Sequence, residues 1–232
     1  MRPSSAAPRI LVVDYGMGNL RSIAKALEAL GGRVEVSSSP AALKRADGVV
    51  FPGDGAFAEA MHRLRKLRLL EPIRAWIKAD RPFLGICLGL QVLFDTSEEF
   101  GHHRGIGAFA GRIVRFPRSA RVPHMGWNEL RPRKGSWLME KLPRNPYVYF
   151  IHSYFPKPSS QADVAATCRY GLGFAAAVER GSVAGVQFHP EKSQRPGLQI
   201  LRNYLARVSG GAPSTKAQPR GRGCSASRRG RG

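Results

Sequence analysis

The sequence lacks the features of a membrane-spanning or disulfide-bonded protein. No apolar run approaches the roughly 20 residues that a transmembrane helix needs. Its three cysteines among 232 residues are odd in number and irregularly spaced, so they do not form a disulfide framework. The opening MRPSSAAPR is positively charged but has no apolar core behind it, unlike a secretory signal. We therefore expect no membrane association and a cytoplasmic location.

Acidic residues are also scarce. The chain has 16 Asp and Glu against 37 Lys and Arg, which gives a formal net charge of +21. Residues 209–232 contribute six basic residues and no acidic one. A basic surface attracts nucleic acids, phosphorylated metabolites and acidic proteins alike. Charge alone therefore does not indicate specific nucleic-acid binding, which we do not expect.

The first ninety residues alternate between short apolar runs and helical patterns. Strand-like runs lie at 9–14, 34–36, 48–51 and 82–86, and helical spacing occupies 19–30, 41–45 and about 57–78, the last interrupted near Pro72. This alternation predicts a parallel sheet covered on both faces. Sites in such sheets lie beyond the carboxyl ends of the strands. Residues 52–55 and Cys87 both fall at such ends.

Beyond residue 105 the pattern changes to shorter strands and turns. Strands are predicted at 111–116, 147–155, 163–168 and 173–188, followed by a helix at 198–208. The fold class is therefore α/β of the flavodoxin or Rossmann type, with a mostly parallel central sheet flanked by helices and antiparallel hairpins in the C-terminal half. We expect a short flexible N-terminus at 1–8, one domain at 9–208 and a disordered basic tail at 209–232, which has almost nothing to bury.

The segment GICLGLQ at 85–91 places a cysteine between two glycines, after a predicted strand and before a predicted helix. Gly-x-Cys-x-Gly in this position is the cysteine counterpart of the Gly-x-Ser-x-Gly nucleophile elbow. Gly85 and Gly89 would tolerate the strained turn, and a helix beginning at Leu88 would favour the thiolate of Cys87. A buried cysteine in an ordinary strand-to-helix turn explains this segment equally well.

A second segment, VQFHPE at 186–191, places His189 and Glu191 two residues apart after an apolar strand. A thiol nucleophile needs an imidazole to take its proton, and the imidazole needs a carboxylate to fix its tautomer. The alternative is a surface His–Glu pair at a strand end. Spacing alone cannot bring residue 87 next to residue 189, so only the fold decides between the two.

A third segment, PGDGAF at 52–57, has two glycines around one residue after a predicted strand. Such a turn lets backbone N–H groups face a ligand. Together with the Leu88 N–H, it has the parts of an oxyanion hole. Alone it is a weak signal, because Pro-Gly and Asp-Gly turns are common.

Together, these three segments resemble the class I, or triad, glutamine amidotransferases. Four ordered blocks are similar, at matching separations, to the glutaminase subunits of imidazole glycerol phosphate synthase, an enzyme of histidine biosynthesis: DYGMGNLRS at 14–22, PHMGWNEL at 123–130, YFIHSYF at 149–155 and GVQFHPEKSQ at 185–194. The resemblance extends from about residue 9 to residue 207.

The resemblance implies a glutaminase that needs no cofactor or metal. Cys87 would attack the side-chain amide carbon of glutamine, His189 would carry the proton to the departing ammonia, and Glu191 would orient the ring. The substrate would be contacted by Gly53, Asp54, Gly55, Leu88, Gln91, Ser153 and Tyr154. Adjacent His102 and His103 lack a third ligand, so we do not expect zinc.

The resemblance also implies a heterodimer with a (β/α)₈-barrel cyclase subunit, which would use the ammonia to make imidazole glycerol phosphate and an aminoimidazole carboxamide ribotide. The interface residues would be Asn19, Arg21, His124, Met125, Trp127, Asn128, Tyr149 and Lys192. Without the resemblance, Trp127 and Tyr149 are interpreted as core aromatics. Asp54 departs from the small apolar residue expected between the glycines, and its carboxylate would either repel the oxyanion or anchor the loop.

Two other functions remain open from the sequence. One is a glutaminase subunit serving anthranilate, aminodeoxychorismate or purine synthesis, which the HMGWN block argues against. The other is a non-catalytic module on the same scaffold, with the basic tail contacting nucleic acid. The presence of Cys87, His189 and Glu191 argues against that module.

Overall fold

The computed structural model describes residues 7–210. Its strands are β1 Arg9–Val13, β2 Arg33–Ser37, β3 Gly48–Gly53, β4 Phe83–Cys87, β5 Phe94–Ser97, β6 His103–Arg104, β7 Phe109–Arg115, β8 His124–Pro132, β9 Tyr147–His152, β10 Tyr154–Pro158, β11 Val164–Tyr170, β12 Leu172–Arg180 and β13 Val183–Val186. Its α-helices are α1 Leu20–Ala29, α2 Pro40–Arg45, α3 Phe57–Lys66, α4 Leu70–Lys78, α5 Leu88–Gln91 and α6 Gln194–Ser209.

Nine strands form one sheet in the order β2-β1-β3-β4-β13-β12-β11-β8-β9. The first five are parallel to one another and the last four are antiparallel to their neighbours. The predicted α/β fold class is confirmed. Four antiparallel strands of the C-terminal half, β12, β11, β8 and β9, extend the central sheet.

Alternation along the buried strands divides the core between the two faces of the sheet. Ile10 and Val12 of β1 pack in one cluster with residues of α1 and α6. Leu11 and Val13 point the other way and pack with residues of α2, α3 and α4. Since successive side chains of a strand point to opposite faces, a fully apolar run such as β1 requires cover on both sides.

A second sheet has four strands in the order β10-β7-β5-β6. The stretch 147–155, predicted as one strand, is divided at Ser153 between the two sheets. β9 pairs with β8 in the large sheet, and β10 pairs with β7 in the small one. The residues around this division therefore lie where the two sheets meet.

One helix boundary differs from the sequence prediction. The long helical pattern breaks before α4, where Arg68 has φ 55°, rather than at Pro72. Pro72 is the third residue of α4, in the first turn, where its missing N–H removes no helical hydrogen bond. The helix after Cys87 is a single turn of four residues.

The predictions for the two ends fall largely outside the described residues, which exclude 1–6 and 211–232. Within 7–210, the first strand begins at Arg9 and the last helix ends at Ser209. No helix in this part of the chain is long and apolar enough to span a bilayer.

Candidate active site

Cys87 occupies a strained turn at the end of β4. Its backbone has φ 56° and ψ −109°, a conformation that non-glycine residues rarely adopt and that other contacts must stabilise. Both flanking glycines are sterically required. A Cβ atom at Gly85 would overlap the carbonyl of Gly89, and one at Gly89 would overlap the carbonyl oxygen of Phe51. The cysteine therefore has the geometry of a nucleophile elbow.

Strand pairing brings the histidine segment to this cysteine. β4 lies between β3 and β13, and both neighbours are parallel to it. The register pairs Ile86 with Val186, so Gln187 follows beside Cys87 and His189 comes two residues later. The carboxyl ends of two adjacent parallel strands thus place the thiol and the imidazole at one edge of the sheet.

His189 is held on two sides. Its Nδ1 lies 2.9 Å from Oε1 of Glu191, so the carboxylate fixes the ring orientation. Ser193 holds the backbone, since its hydroxyl donates to the His189 carbonyl over 2.6 Å and accepts from the Tyr149 N–H over 2.9 Å. The imidazole is buried, with 8% of the residue exposed.

The charges around His189 favour its protonated form. Burial lowers the pKa of His189, but hydrogen bonding to Cys87 and Glu191 and their negative charges outweigh this and raise the pKa to about 10. Nε2 has no partner among the described residues within ordinary hydrogen-bond limits. Since Nδ1 faces Glu191 and Cys87 is among the groups that raise the pKa of His189, Nε2 is the ring nitrogen that faces the sulfur. Catalytic hydrogen bonds of this kind tighten when substrate binds.

The single-turn length of α5 changes one part of the sequence argument. A four-residue helix has little macrodipole, so its N-terminus contributes little to stabilising a thiolate. The protonated imidazole of His189 is the stronger local source of positive charge. The Leu88 N–H, first in the helix, still has no carbonyl one turn earlier to bond.

A cavity of about 350 Å³ opens over these residues, within the size range of small-molecule sites. Cys87 and His189 both line it. Of the seven predicted substrate-binding residues, five also line it: Asp54, Gly55, Gln91, Ser153 and Tyr154. The other two, Gly53 and Leu88, are buried behind the wall. A larger cavity of about 580 Å³, at the opposite ends of β4 and β13, is lined by no cysteine or histidine.

Asp54 anchors its loop. The carboxylate Oδ1 accepts a hydrogen bond from the Gly18 N–H over 3.0 Å, which ties the loop after β3 to the loop after β1. Gly55 has φ 88°, and a Cβ atom there would press on the Met17 side chain. From the sequence, this carboxylate would either repel the oxyanion or anchor the loop. The structure contains the anchoring contact. The same carboxylate also lines the cavity.

The β8–β9 hairpin exposes apolar side chains beside the cavity. The antiparallel register pairs Met125 with Ile151, Trp127 with Tyr149 and Glu129 with Tyr147. Four of these residues are exposed: Met125 58%, Trp127 46%, Tyr147 53% and Ile151 37%. We call Met125, Trp127, Tyr147, Tyr149 and Ile151 the hairpin patch. Ile151 also lines the cavity, so the patch borders its mouth.

The other predicted interface residues divide by exposure. Asn19, Arg21 and Lys192 are exposed and Asn128 is half-buried. The Lys192 ammonium lies 5.8 Å from the centroid of the Tyr149 ring, a cation–π distance that places it beside the hairpin patch.

The assignment of His124 to the interface is corrected by its position. Strand alternation turns it inward, and only 2% of it is exposed. Its ring stacks on Tyr170 with a centroid distance of 3.9 Å and on Phe150 with one of 4.7 Å. His124 is therefore a core residue beneath the hairpin patch, beside Met125 in sequence but on the opposite face.

Sequence reasoning missed four polar side chains of the site: Glu99 and His152, which line the cavity, Gln187, which contacts Cys87, and Ser193, which holds His189. The sequence does indicate Gln187, because this polar residue interrupts the otherwise apolar run VAGVQF at 183–188. His152 and Ser193 had no such signal, since each depends on strand pairing distant in sequence.

The profile of the family described as "Glutamine amidotransferase class-I" matches residues 11–208. The chain belongs to the class I glutamine amidotransferases. The predicted family and enzyme class are confirmed, and the match covers the whole region that carries the site.

Relatives within the class I amidotransferases agree on one subgroup. The "Imidazole glycerol phosphate synthase subunit HisH" of Thermosynechococcus vestitus is 50% identical over 207 residues, 88% of this chain and 99% of that protein. The protein of the same name from Syntrophotalea carbinolica is 48% identical over 202 residues, 84% of this chain and 98% of that protein. The predicted resemblance to this subgroup is confirmed.

Solved structures show the same amidotransferase fold at much lower identity. PurLQS from Thermotoga maritima aligns with a TM-score of 0.69 and 16% identity, covering 86% of this chain and 98% of that one. A glutamine amidotransferase from the same organism aligns with a TM-score of 0.62 and 18% identity, covering 88% and 99%. These likenesses concern the fold alone.

Proposed function

We propose that this chain is the glutaminase subunit of an imidazole glycerol phosphate synthase, acting in histidine biosynthesis. The observation that carries the proposal is a buried imidazole bound to Glu191 and neighbouring Cys87 at the end of two paired strands, in a chain about half identical to HisH subunits. A reaction that uses a free thiol suits the reducing cytoplasm, where we place the protein.

The reaction follows from the chemistry of the three side chains. The Cys87 thiolate attacks the amide carbon of glutamine, and the oxyanion is received by the Leu88 N–H and an N–H of the 53–55 loop. His189, protonated and held by Glu191, gives its Nε2 proton to the departing ammonia. A glutamyl thioester remains. Water, deprotonated by the now neutral His189, hydrolyses it to glutamate and restores the Cys87 thiolate beside a protonated His189.

The hairpin patch supports docking of a partner subunit at the mouth of the cavity. Exposed Trp and Tyr side chains at a cavity rim are more typical of an interface than of free surface. We propose that the partner is the (β/α)₈-barrel cyclase and that it receives ammonia directly from the cavity. Lys192 supplies a charged group at the same cavity, and the predicted interface residues Asn19 and Arg21 are exposed.

A comparison of two nitrogen sources tests this proposal. The full chain is mixed with the cyclase subunit of the same organism, and formation of imidazole glycerol phosphate is followed with glutamine or with ammonium salt. We expect Cys87→Ala to abolish the glutamine-dependent reaction and to leave the ammonium-dependent reaction intact. Cys168→Ala, which removes a buried cysteine outside the cavity, is the matched control. Glutamine use by the Cys87→Ala variant would refute the mechanism.

Mixing the chain with the acceptor subunits of the related amidotransferases, in place of the cyclase, separates the related functions. If the chain instead activated a synthase for anthranilate, aminodeoxychorismate or a purine precursor, and not the cyclase, the partner assignment would be wrong while the glutaminase chemistry would stand.

A further inference from the structure

A fully buried amide lies against the nucleophile and is not used by the mechanism above. The side chain of Gln187 is 0% exposed. Its Nε2 lies 3.7 Å from the Cys87 sulfur, and its Oε1 lies 3.1 Å from Nε2 of Gln91. Burying a polar group is unfavourable unless its hydrogen bonds are made. The sulfur is one of the two partners that this amide has.

A backbone carbonyl fixes which end of the Gln187 amide faces the sulfur. Gln91 places its Nε2 3.1 Å from the Tyr154 carbonyl oxygen. A carbonyl can only accept, so Gln91 must present its NH₂ group there. The same NH₂ group contacts Gln187, which must therefore present its oxygen. The NH₂ group of Gln187 is left to point at Cys87.

The Tyr154 carbonyl is itself held by a pair of histidines. His152 Nδ1 lies 2.7 Å from this oxygen, so Nδ1 carries the proton. His152 Nε2 then accepts from His124 Nδ1 over 3.1 Å. Burial lowers the pKa of His152 to about 3 and that of His124 to about 4, so both rings are neutral at physiological pH. The orientation of the two amides therefore does not change in that range.

We propose that Gln187 is a positioning residue for the nucleophile. Its side-chain NH₂ donates to the Cys87 sulfur, which holds the sulfur at the cavity and favours the thiolate over the thiol. The sulfur also lies 4.0 Å from the Ile151 carbonyl, a group that interacts favourably with the thiol alone. The carbonyl favours the thiol, whereas the Gln187 amide and the His189 ring donate to the sulfur and favour the thiolate. The inference rests on the proposed function in one respect, that Cys87 is the nucleophile.

The test measures how fast iodoacetamide alkylates Cys87 in the full chain, in wild type and in Gln187→Met, which keeps the length of the side chain and removes the donor. Peptide mass spectrometry separates Cys87 from Cys168 and Cys224. At pH 7 we expect alkylation to be about tenfold slower in the variant, the value of one hydrogen bond to a charged group. At pH 10 the difference should vanish, because a cysteine needs no hydrogen-bond donor to form a thiolate in alkaline solution. Gln161→Met, at an exposed glutamine, should match wild type at both pH values.

Two outcomes would overturn the inference. One is a Gln187→Met variant that reacts at the wild-type rate at pH 7. The other is a rate lowered by the same factor at every pH, since that indicates altered access rather than a lost donor. If Gln187→Met does not fold, Gln187→Asn replaces it. Its amide is one methylene shorter and is retracted from the sulfur, so the same pH-dependent loss is expected and wild-type behaviour refutes the proposal.

The failure of this inference is distinguishable from failure of the proposed function. Alkylation needs no glutamine and no partner, so its result stands whatever the chain does in the mixed assay. A wild-type chain that never hydrolyses glutamine would refute the function. If the chain hydrolyses glutamine but the alkylation rate of Cys87 is the same in Gln187→Met as in wild type, the positioning role alone is refuted.

Discussion

The contact between Asp54 and Gly18 makes a quantitative prediction about the chain without its partner. The Asp54 carboxylate ties the loop that follows β3 to the loop that follows β1. Two substitutions separate its effects. Asp54→Ala removes both the hydrogen bond and the charge, whereas Asp54→Asn keeps an oxygen that can accept from Gly18 and removes only the charge.

The magnitude follows from the exposure of this hydrogen bond. Asp54 is exposed, so the bond contributes about 1 kcal/mol. Losing that amount shifts the equilibrium between two loop conformations about fivefold, since a tenfold change takes about 1.4 kcal/mol. If the tied loop is the less active one, Asp54→Ala raises the glutaminase rate of the isolated chain by up to about fivefold. The glutaminase rate of Asp54→Asn stays near that of wild type if the hydrogen bond to Gly18 dominates. It rises to that of Asp54→Ala if charge repulsion of the oxyanion dominates.

The assay is glutamate release by the isolated chain, with the rate at saturating cyclase and ligand as the upper reference. We expect the activated rate to be similar in all three proteins, because the partner would release the tie wherever it is present. Thermal unfolding confirms that the variants are folded. A folded Asp54→Ala variant with a basal rate at or below that of wild type would show that the loop is not restrained by this carboxylate.

Three further predictions concern the triad, the elbow and the hairpin patch. The pKa of His189 is raised from about 6.5 to about 10. The protonated ring therefore stabilises the fold fully below pH 6.5, and this stabilisation is lost as the pH rises through 10. Glu191→Gln should therefore lower the urea midpoint at pH 6 more than at pH 10.5, and an equal loss of stability at both pH values would contradict this expectation. The same substitution should lower kcat by about 10²–10⁴. Gly89→Ala should cost at least about 2 kcal/mol in urea unfolding, because the new methyl overlaps a backbone carbonyl, whereas Gly173→Ala, with open space around it, should stay near wild type. Trp127→Ala should weaken cyclase binding by at least about 2 kcal/mol in titration calorimetry with the melting temperature nearly unchanged, and unchanged affinity would remove it from the interface.

Much of the central sheet could be predicted from the sequence because its signals are local. Apolar runs separated by helical periods define β1 to β4 without reference to distant residues. The signal for the Cys87 elbow was equally local, since the Gly-x-Cys-x-Gly segment lies directly between an apolar run and the predicted start of a helix.

What could not be predicted depended on partners distant in sequence. The division of 147–155 at Ser153 is invisible in the sequence, because apolar and aromatic residues continue on both sides of it in YVYFIHSYF. The inward turn of His124 depends on the register of β8 against β9. The length of α5 was missed because Val92 and Leu93 are as apolar as helical residues would be, yet the chain leaves the helix there to begin β5.

The division at Ser153 has a consequence for communication between the subunits. Ile151 belongs to the surface proposed to meet the partner, and the Tyr154 carbonyl belongs to the wall that orients the two glutamine amides. Only two residues of one peptide separate them. Docking that tilts the β8–β9 hairpin would move this wall of the cavity through covalent bonds. A signal from the partner subunit would then need no extended path through the protein interior.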